Sequence, residues 1–248
     1  MCESQYGLFY EYMDMGIEFN YSFKLSDRDV RRFNWRIDPD SLESINTVNG
    51  NYPDWTALDT HQCPNCPLKS CDVSHCPVAV NMVELLALGD DLSSYEDVEV
   101  VVITAERTIS QSTSVQRAVS SLLGLVIATS GCPHTVFLRP MARFHLPLAT
   151  EEETIYRAVS MYLLAQHFLY KQNGKADLEL DGLARIYSNL QQVNKSMAKR
   201  IGDVTQQDGT VNAIILLDLF AKTLPYAIED AVEELYYLYR PYLSDSDN

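Results

Sequence analysis

Four of the six cysteines, Cys63, Cys66, Cys76 and Cys132, are followed directly by proline, whereas Cys2 and Cys71 are not. At ordinary proline usage six cysteines would give roughly 0.3 such pairs. A proline after a cysteine fixes φ and removes an N–H, which stiffens the turn that holds the sulfur. Cys63 and Cys66 form a C-x-x-C, whose two sulfurs can face one ion from a tight turn. A tetrahedral site then needs two further ligands. In the Cys-Pro reading Cys76 and Cys132 supply them, which obliges distant parts of the chain to meet. Cys76 precedes Pro77 at the expected start of a helix, where the dipole favours thiolate. A compact rival set, Cys63, Cys66, Cys71 and Cys76, needs nothing from Cys132. A third reading leaves all of them as small buried thiols without metal. Zinc is the expected ion for an all-thiolate tetrahedral site. A [4Fe–4S] cluster is the alternative, since proline often follows a cluster-ligating cysteine.

The compartment decides how such cysteines are read. Residues 1–20 show no basic segment followed by an apolar run and a small-residue cleavage site, so no signal peptide is expected. The most apolar run, Leu122 to Ala128, sits in a stretch containing Gln116 and Arg117 and is too short to span a membrane. A cytoplasmic protein with reduced thiols follows, in which metal or redox chemistry explains cysteines better than structural disulfides. The 34 acidic residues outnumber the 19 Lys and Arg, for a formal charge of −15 at pH 7. That balance argues against tracking nucleic-acid phosphates and against an anionic membrane surface. Apolar residues make up 46% of the 248, enough for a packed core.

Periodicity gives the layout. Ile17, Phe19, Tyr21, Phe23 and Leu25 alternate with mostly polar residues, as do Phe33, Trp35 and Ile37, predicting an antiparallel hairpin over 17–37 with its turn at Ser26 to Asp29. Residues 46–62 read as loop, with a turn signal at Asn49-Gly50. A second strand pair is expected at Val98 to Val102 and Thr108 to Ser112. Helices are predicted from Pro77 to Gly89, from a Ser114 cap to Gly131, from the Thr150-Glu151-Glu152-Glu153 capping box to Asn173-Gly174, and along the Leu183, Ile186, Leu190, Val193, Met197, Ile201 stripe. Two more are expected over 210–224 and 226–240, each closed by a proline. The expected fold class is α+β. A strand-rich half with antiparallel hairpins packs with a C-terminal helical array, tied by the four-cysteine metal site. A single domain over 1–248 is expected, divisible at most into 1–150 and 151–248.

His61, His75 and His134 each lie within two residues of a Cys-Pro cysteine. They are candidates to ligate the ion or to hydrogen-bond the thiolates, against the plainer reading of surface histidines. His167, on an amphipathic helix, reads as structural. In residues 137–147 the prolines favour extended chain, which would set Arg139, Met141, Arg143 and His145 on one face. Arg139, Arg143 and His145 could then receive an anion; otherwise they pair with Glu151 to Glu153 or cap helix C-termini. Phosphate-loop, dinucleotide-binding, HExxH, GxSxG and zinc-deaminase patterns are all missing, so no common reaction is indicated.

The segments HQCPNCPL, TSGCP, RPMARFHLPLAT and EETIYRAVSMYLLAQ together resemble an uncharacterised bacterial family, a domain of unknown function, over roughly residues 52 to 240. The resemblance implies that the cysteines matching Cys63, Cys66, Cys76 and Cys132 belong to the family pattern and Cys71 does not. It implies a bacterial cytosolic protein and supplies no activity. The expected function is therefore that of a metal-binding protein acting as a binding or regulatory module, the metal being mainly structural. Its partner would be a protein or a small anionic ligand. The alternative is an iron–sulfur enzyme or electron carrier.

Overall fold

The computed structural model describes residues 16–25, 29–46, 50, 52–89, 93–205 and 208–245. β1 (Ile17–Lys24) and β2 (Val30–Ile37) form an antiparallel hairpin with Ile17 opposite Ile37 and Phe19 opposite Trp35. β3 (Asp97–Ile103) pairs antiparallel with the other edge of β1, and β4 (Thr108–Ser114) with β3, giving one sheet in the order β2-β1-β3-β4. Alternation places Phe19, Tyr21, Phe23, Phe33, Trp35, Ile37, Val98, Val100 and Val102 on one buried face. Lys24 and Glu99 pair on the opposite face at 2.9 Å. β4 is a polar edge, TISQSTS, which suits a strand with one side unpaired. Both expected strand pairs are present. The Ser26 to Asp29 turn lies mostly outside the described residues, as does Asn49 of the Asn49-Gly50 signal.

α1 (Pro77–Gly89) and α2 (Val115–Ala128) cover the buried face of the sheet. The Trp35 indole donates to the Thr129 hydroxyl at 3.0 Å, fixing β2 to the end of α2. Ser114 stands at the cap position of α2 with extended backbone but makes no side-chain capping bond, and the helix ends at Ala128 rather than at Gly131. Thr129 and Ser130 end it by turning their hydroxyls back to the carbonyls of Leu125 and Ile127 at 2.9 and 2.8 Å.

The segment expected to be extended is instead a 3-10 turn, Val136–Leu138, running into the short helix α3 (Arg139–Arg143). Pro140 falls in the first turn of α3, where its fixed φ is helical and its missing N–H costs nothing. Pro140 therefore acts as a helix opener, Pro147 lies in a turn, and alternate residues no longer share a face.

α4 (Glu151–Asn173) begins with the expected capping box. Glu153 N–H donates to the Thr150 hydroxyl at 3.2 Å, and Thr150 N–H donates to the Glu153 carboxylate at 2.7 Å. It ends at Gly174 in the left-handed region, φ 71°. α5 (Asp181–Gly202) buries Leu183, Tyr187, Leu190, Asn194, Met197 and Ile201, a 4-3-4-3-4 spacing that keeps one stripe inward. A side chain at Gly182 would place its Cβ 2.0 Å from the Tyr162 hydroxyl, so α4 and α5 approach closely there.

α6 (Asp208–Glu234) packs against α5 and α2 as one helix, not the two expected. Pro225 lies inside it. A proline costs a helix interior about 3 kcal/mol, which packing along the rest of α6 outweighs. Pro241 likewise opens rather than closes a helix, as the second residue of α7 (Arg240–Asp245).

Candidate functional site

The cysteine loop is built from short backbone ties. Cys66 N–H donates to the Cys63 carbonyl at 3.0 Å, closing the C-x-x-C turn, and Cys76 N–H donates to the Thr56 carbonyl at 2.8 Å. The Cys76 carbonyl accepts from Val80, so Cys76 stands at the mouth of α1. Cys132 follows α2 through Gly131, and its carbonyl accepts from both the N–H and the hydroxyl of Thr135 at 3.0 Å. Three cross-links pull these pieces together. His134 Nε2 lies 2.8 Å from the Asn65 carbonyl, joining the Cys132 segment to the C-x-x-C turn. The Asn81 amide donates to the carbonyls of Pro77 and Ser130, joining α1 to the end of α2. Asn65 donates to Asn189 on α5 at 2.9 Å.

Arg200, only 1% exposed, clamps the loop from α5. Its Nη1 donates to the Trp55 and Ala57 carbonyls at 2.9 and 2.6 Å, and its Nη2 to the Leu58 carbonyl at 3.0 Å. Its Nε is buried with no hydrogen-bond partner. Cys63, Cys66 and Cys76 lie close enough for their charge to act on this guanidinium, though burial dominates and lowers its proton affinity.

Cys63, Cys66, Cys76 and Cys132 are also within electrostatic reach of one another. Burial pushes the Cys132 thiol up to about 12; the His134 N–H opposes the rise, and the neighbouring Cys76, Cys63 and Cys66 add to it. Cys63 is raised for the same leading reason, while the Ser196 hydroxyl of α5 favours its thiolate. Cys71 is exposed and is not among the groups acting on Cys63 or Cys132. All five described cysteines are free thiols. As their side chains stand, no group of three or more His, Cys, Asp or Glu among the described residues is arranged to hold a metal ion.

The three histidines have partners of their own. His61 Nε2 pairs with Asp203 at 2.6 Å on the surface, and His75 Nδ1 meets the Thr56 hydroxyl at 2.8 Å beside the Tyr52 ring. His134 is the cross-link to Asn65. His167 is exposed on α4.

Arg139, Arg143 and His145 do not form one anion-receiving face. Arg139 donates to the Ser41 carbonyl and the Glu43 carboxylate. Arg143 lies 3.6 Å from Glu106 with its cation over the Phe144 ring. His145 turns inward, where its Nε2 shares a hydrogen bond with the Tyr21 hydroxyl. Burial, helped by the nearby Arg157, lowers its proton affinity to about 3, so the ring is neutral. Burial correspondingly raises Tyr21, with the Ser121 hydroxyl opposing.

Beside His145 lies a cavity of about 280 Å³ between α2, α3, α5 and α6, also lined by Arg157, Tyr187 and Asn194. Sequence reasoning missed these residues and Arg200. One signal was available: Tyr187 and Asn194 occupy the apolar stripe of α5, and polar groups on a buried stripe need a partner.

Among the described residues no helix is long and apolar enough to cross a membrane. No curated protein and no solved structure matches the chain. Residues 19–240 do match one family model, nearly the whole sheet and helical array described above, and the chain belongs to that family, Domain of unknown function (DUF6901).

Proposed function

We propose that Cys63, Cys66, Cys76 and Cys132 hold a structural metal ion, zinc in the first instance, in a cytosolic protein that serves as a binding or regulatory module. The observation that supports this reading is the gathering of the four Cys-Pro thiols from three separate segments, with Cys63, Cys66 and Cys76 beside the buried guanidinium of Arg200. Four thiolates around a divalent ion leave a net negative charge, which an adjacent cation offsets. Binding would require the four sulfurs to draw in to about 2.3 Å from a common centre and to release their protons. The raised thiols of Cys63 and Cys132 fit a metal-free state in which those protons are still bound. Four cysteine ligands close the coordination sphere, which suits a structural ion rather than a catalytic one.

Elemental analysis and visible absorption of anaerobically purified protein, wild type and variants, test the reading. Wild type should carry one zinc, Cys132→Ser should lose it as completely as Cys63→Ser, and Cys71→Ser should keep it. Full occupancy in Cys132→Ser would restore the local set with Cys71. A brown protein with four irons would replace the structural ion by a [4Fe–4S] cluster and a redox role.

A further inference from the structure

The cavity of about 280 Å³ is separate from the thiols: no cysteine lines it. Its walls are mostly apolar, from Leu125, Leu190, Leu217 and Phe220. Gly124, in the middle of α2, also lines it, and a Cβ there would meet no heavy atom within 4 Å. Two residues on the α5 wall are polar and line the cavity with no protein hydrogen-bond partner for their side chains among the described residues. Tyr187 is 4% and Asn194 5% exposed, and among the described residues neither side chain makes a hydrogen bond. A mostly apolar cavity with a few polar groups open to it and free of protein hydrogen-bond partners is the usual make-up of a small-molecule site. The charge is one-sided too. Arg157 and Arg117 line the cavity beside the neutral His145, and among the described residues no Asp or Glu does. Arg157 spends one Nη on the Met141 and Phe144 carbonyls, and no carboxylate among the described residues lies within ion-pair distance of it.

We propose that this cavity binds a small organic carboxylate with an apolar body and a second polar atom at its far end. The carboxylate lies at Arg157 and Tyr187, where a planar guanidinium and a phenol O–H both donate. With Arg117 exposed, the half-buried Arg157 matches one negative charge, whereas a phosphate dianion would be left half compensated. Asn194 lies seven residues along α5 from Tyr187, about 10 Å at the helical rise, and meets a hydroxyl or keto oxygen there. An engineered cavity of about 150 Å³ holds benzene, so this one suits about eleven non-hydrogen atoms. The proposal does not depend on the metal.

Calorimetry and thermal shift with 8-hydroxyoctanoate test it, against octane-1,8-diol, which has the same length without the charge, and acetate, which has the charge without the body. The hydroxy acid should bind and raise the thermal midpoint, the diol should bind at least about tenfold more weakly, and acetate should do nothing. Gly124→Leu should fill the space and abolish binding without lowering the midpoint of the free protein. In Asn194→Leu, octanoate and 8-hydroxyoctanoate should bind alike. Absence of any shift with the hydroxy acid, equal binding of the diol, or intact binding in Gly124→Leu would each overturn the proposal; should Gly124→Leu fail to fold, the Asn194→Leu comparison decides.

Discussion

His145 is where acid reaches the core. Its imidazole is neutral, bonded to Tyr21 and packed edge-on to Phe19, and burial with Arg157 nearby brings it to about 3 from an ordinary 6.5. The unfolded chain therefore binds a proton that the folded chain refuses. The stability contributed by the neutral ring is complete above pH 6.5 and is lost as pH falls toward 3, by up to about 1.4 kcal/mol per pH unit. Tyr21 and Arg157, the groups that face it, do not titrate in that window. Urea unfolding of wild type and His145→Gln at several pH values should show the steeper acid loss in wild type; identical slopes would remove His145 as the cause. None of this was legible in the sequence, because the reading of 137–147 as extended chain put His145 beside Arg139 and Arg143. The Cys-Pro pairs were legible because coincidence of two uncommon residues needs no knowledge of the fold. Arg200 was not. Its partners are three carbonyls more than 140 positions away, and a carbonyl has no sequence signature.

Among elements, β1, β2 and β3 followed from period-2 alternation, and α4 and α5 from a capping box and an apolar stripe, signals that live within a single segment. The failures were prolines. Pro140 read as favouring extended chain and Pro225 as closing a helix, yet one opens α3 and the other is carried inside α6, because position in the first turn and packing elsewhere decide a proline's effect. The most consequential junction between elements is the grip of α5 on the loop at residues 55–58. Arg200→Met removes it and leaves the Trp55, Ala57 and Leu58 carbonyls without their donor. At about 1 kcal/mol or more for each, the variant should lose about 3 kcal/mol in chemical denaturation. Alkylation of Cys63 should also become faster as its loop loosens. A variant as stable as wild type would mean that the loop is held from elsewhere.

For the whole molecule, the thiols sit where the C-x-x-C loop, the start of α1 and the end of α2 meet against the core beneath the sheet. An ion there would tie segments that are distant in sequence, so its binding free energy would appear as folding free energy. Chelation of the purified protein, with reductant if a cluster is present, should therefore lower the midpoint of a single cooperative transition; an unchanged midpoint after verified metal loss would place the site at the periphery. α5 gives the molecule a further property. Tyr187 and Asn194 on it face the cavity, while Ser196 and Arg200, on its last turns, hold the cysteine loop. One rigid rod is thus anchored at both places, and a shift along its axis at one is a shift at the other. Were both sites occupied, the two occupants would share a coupling free energy: the factor by which a cavity ligand changes metal affinity would be the factor by which the metal changes ligand affinity.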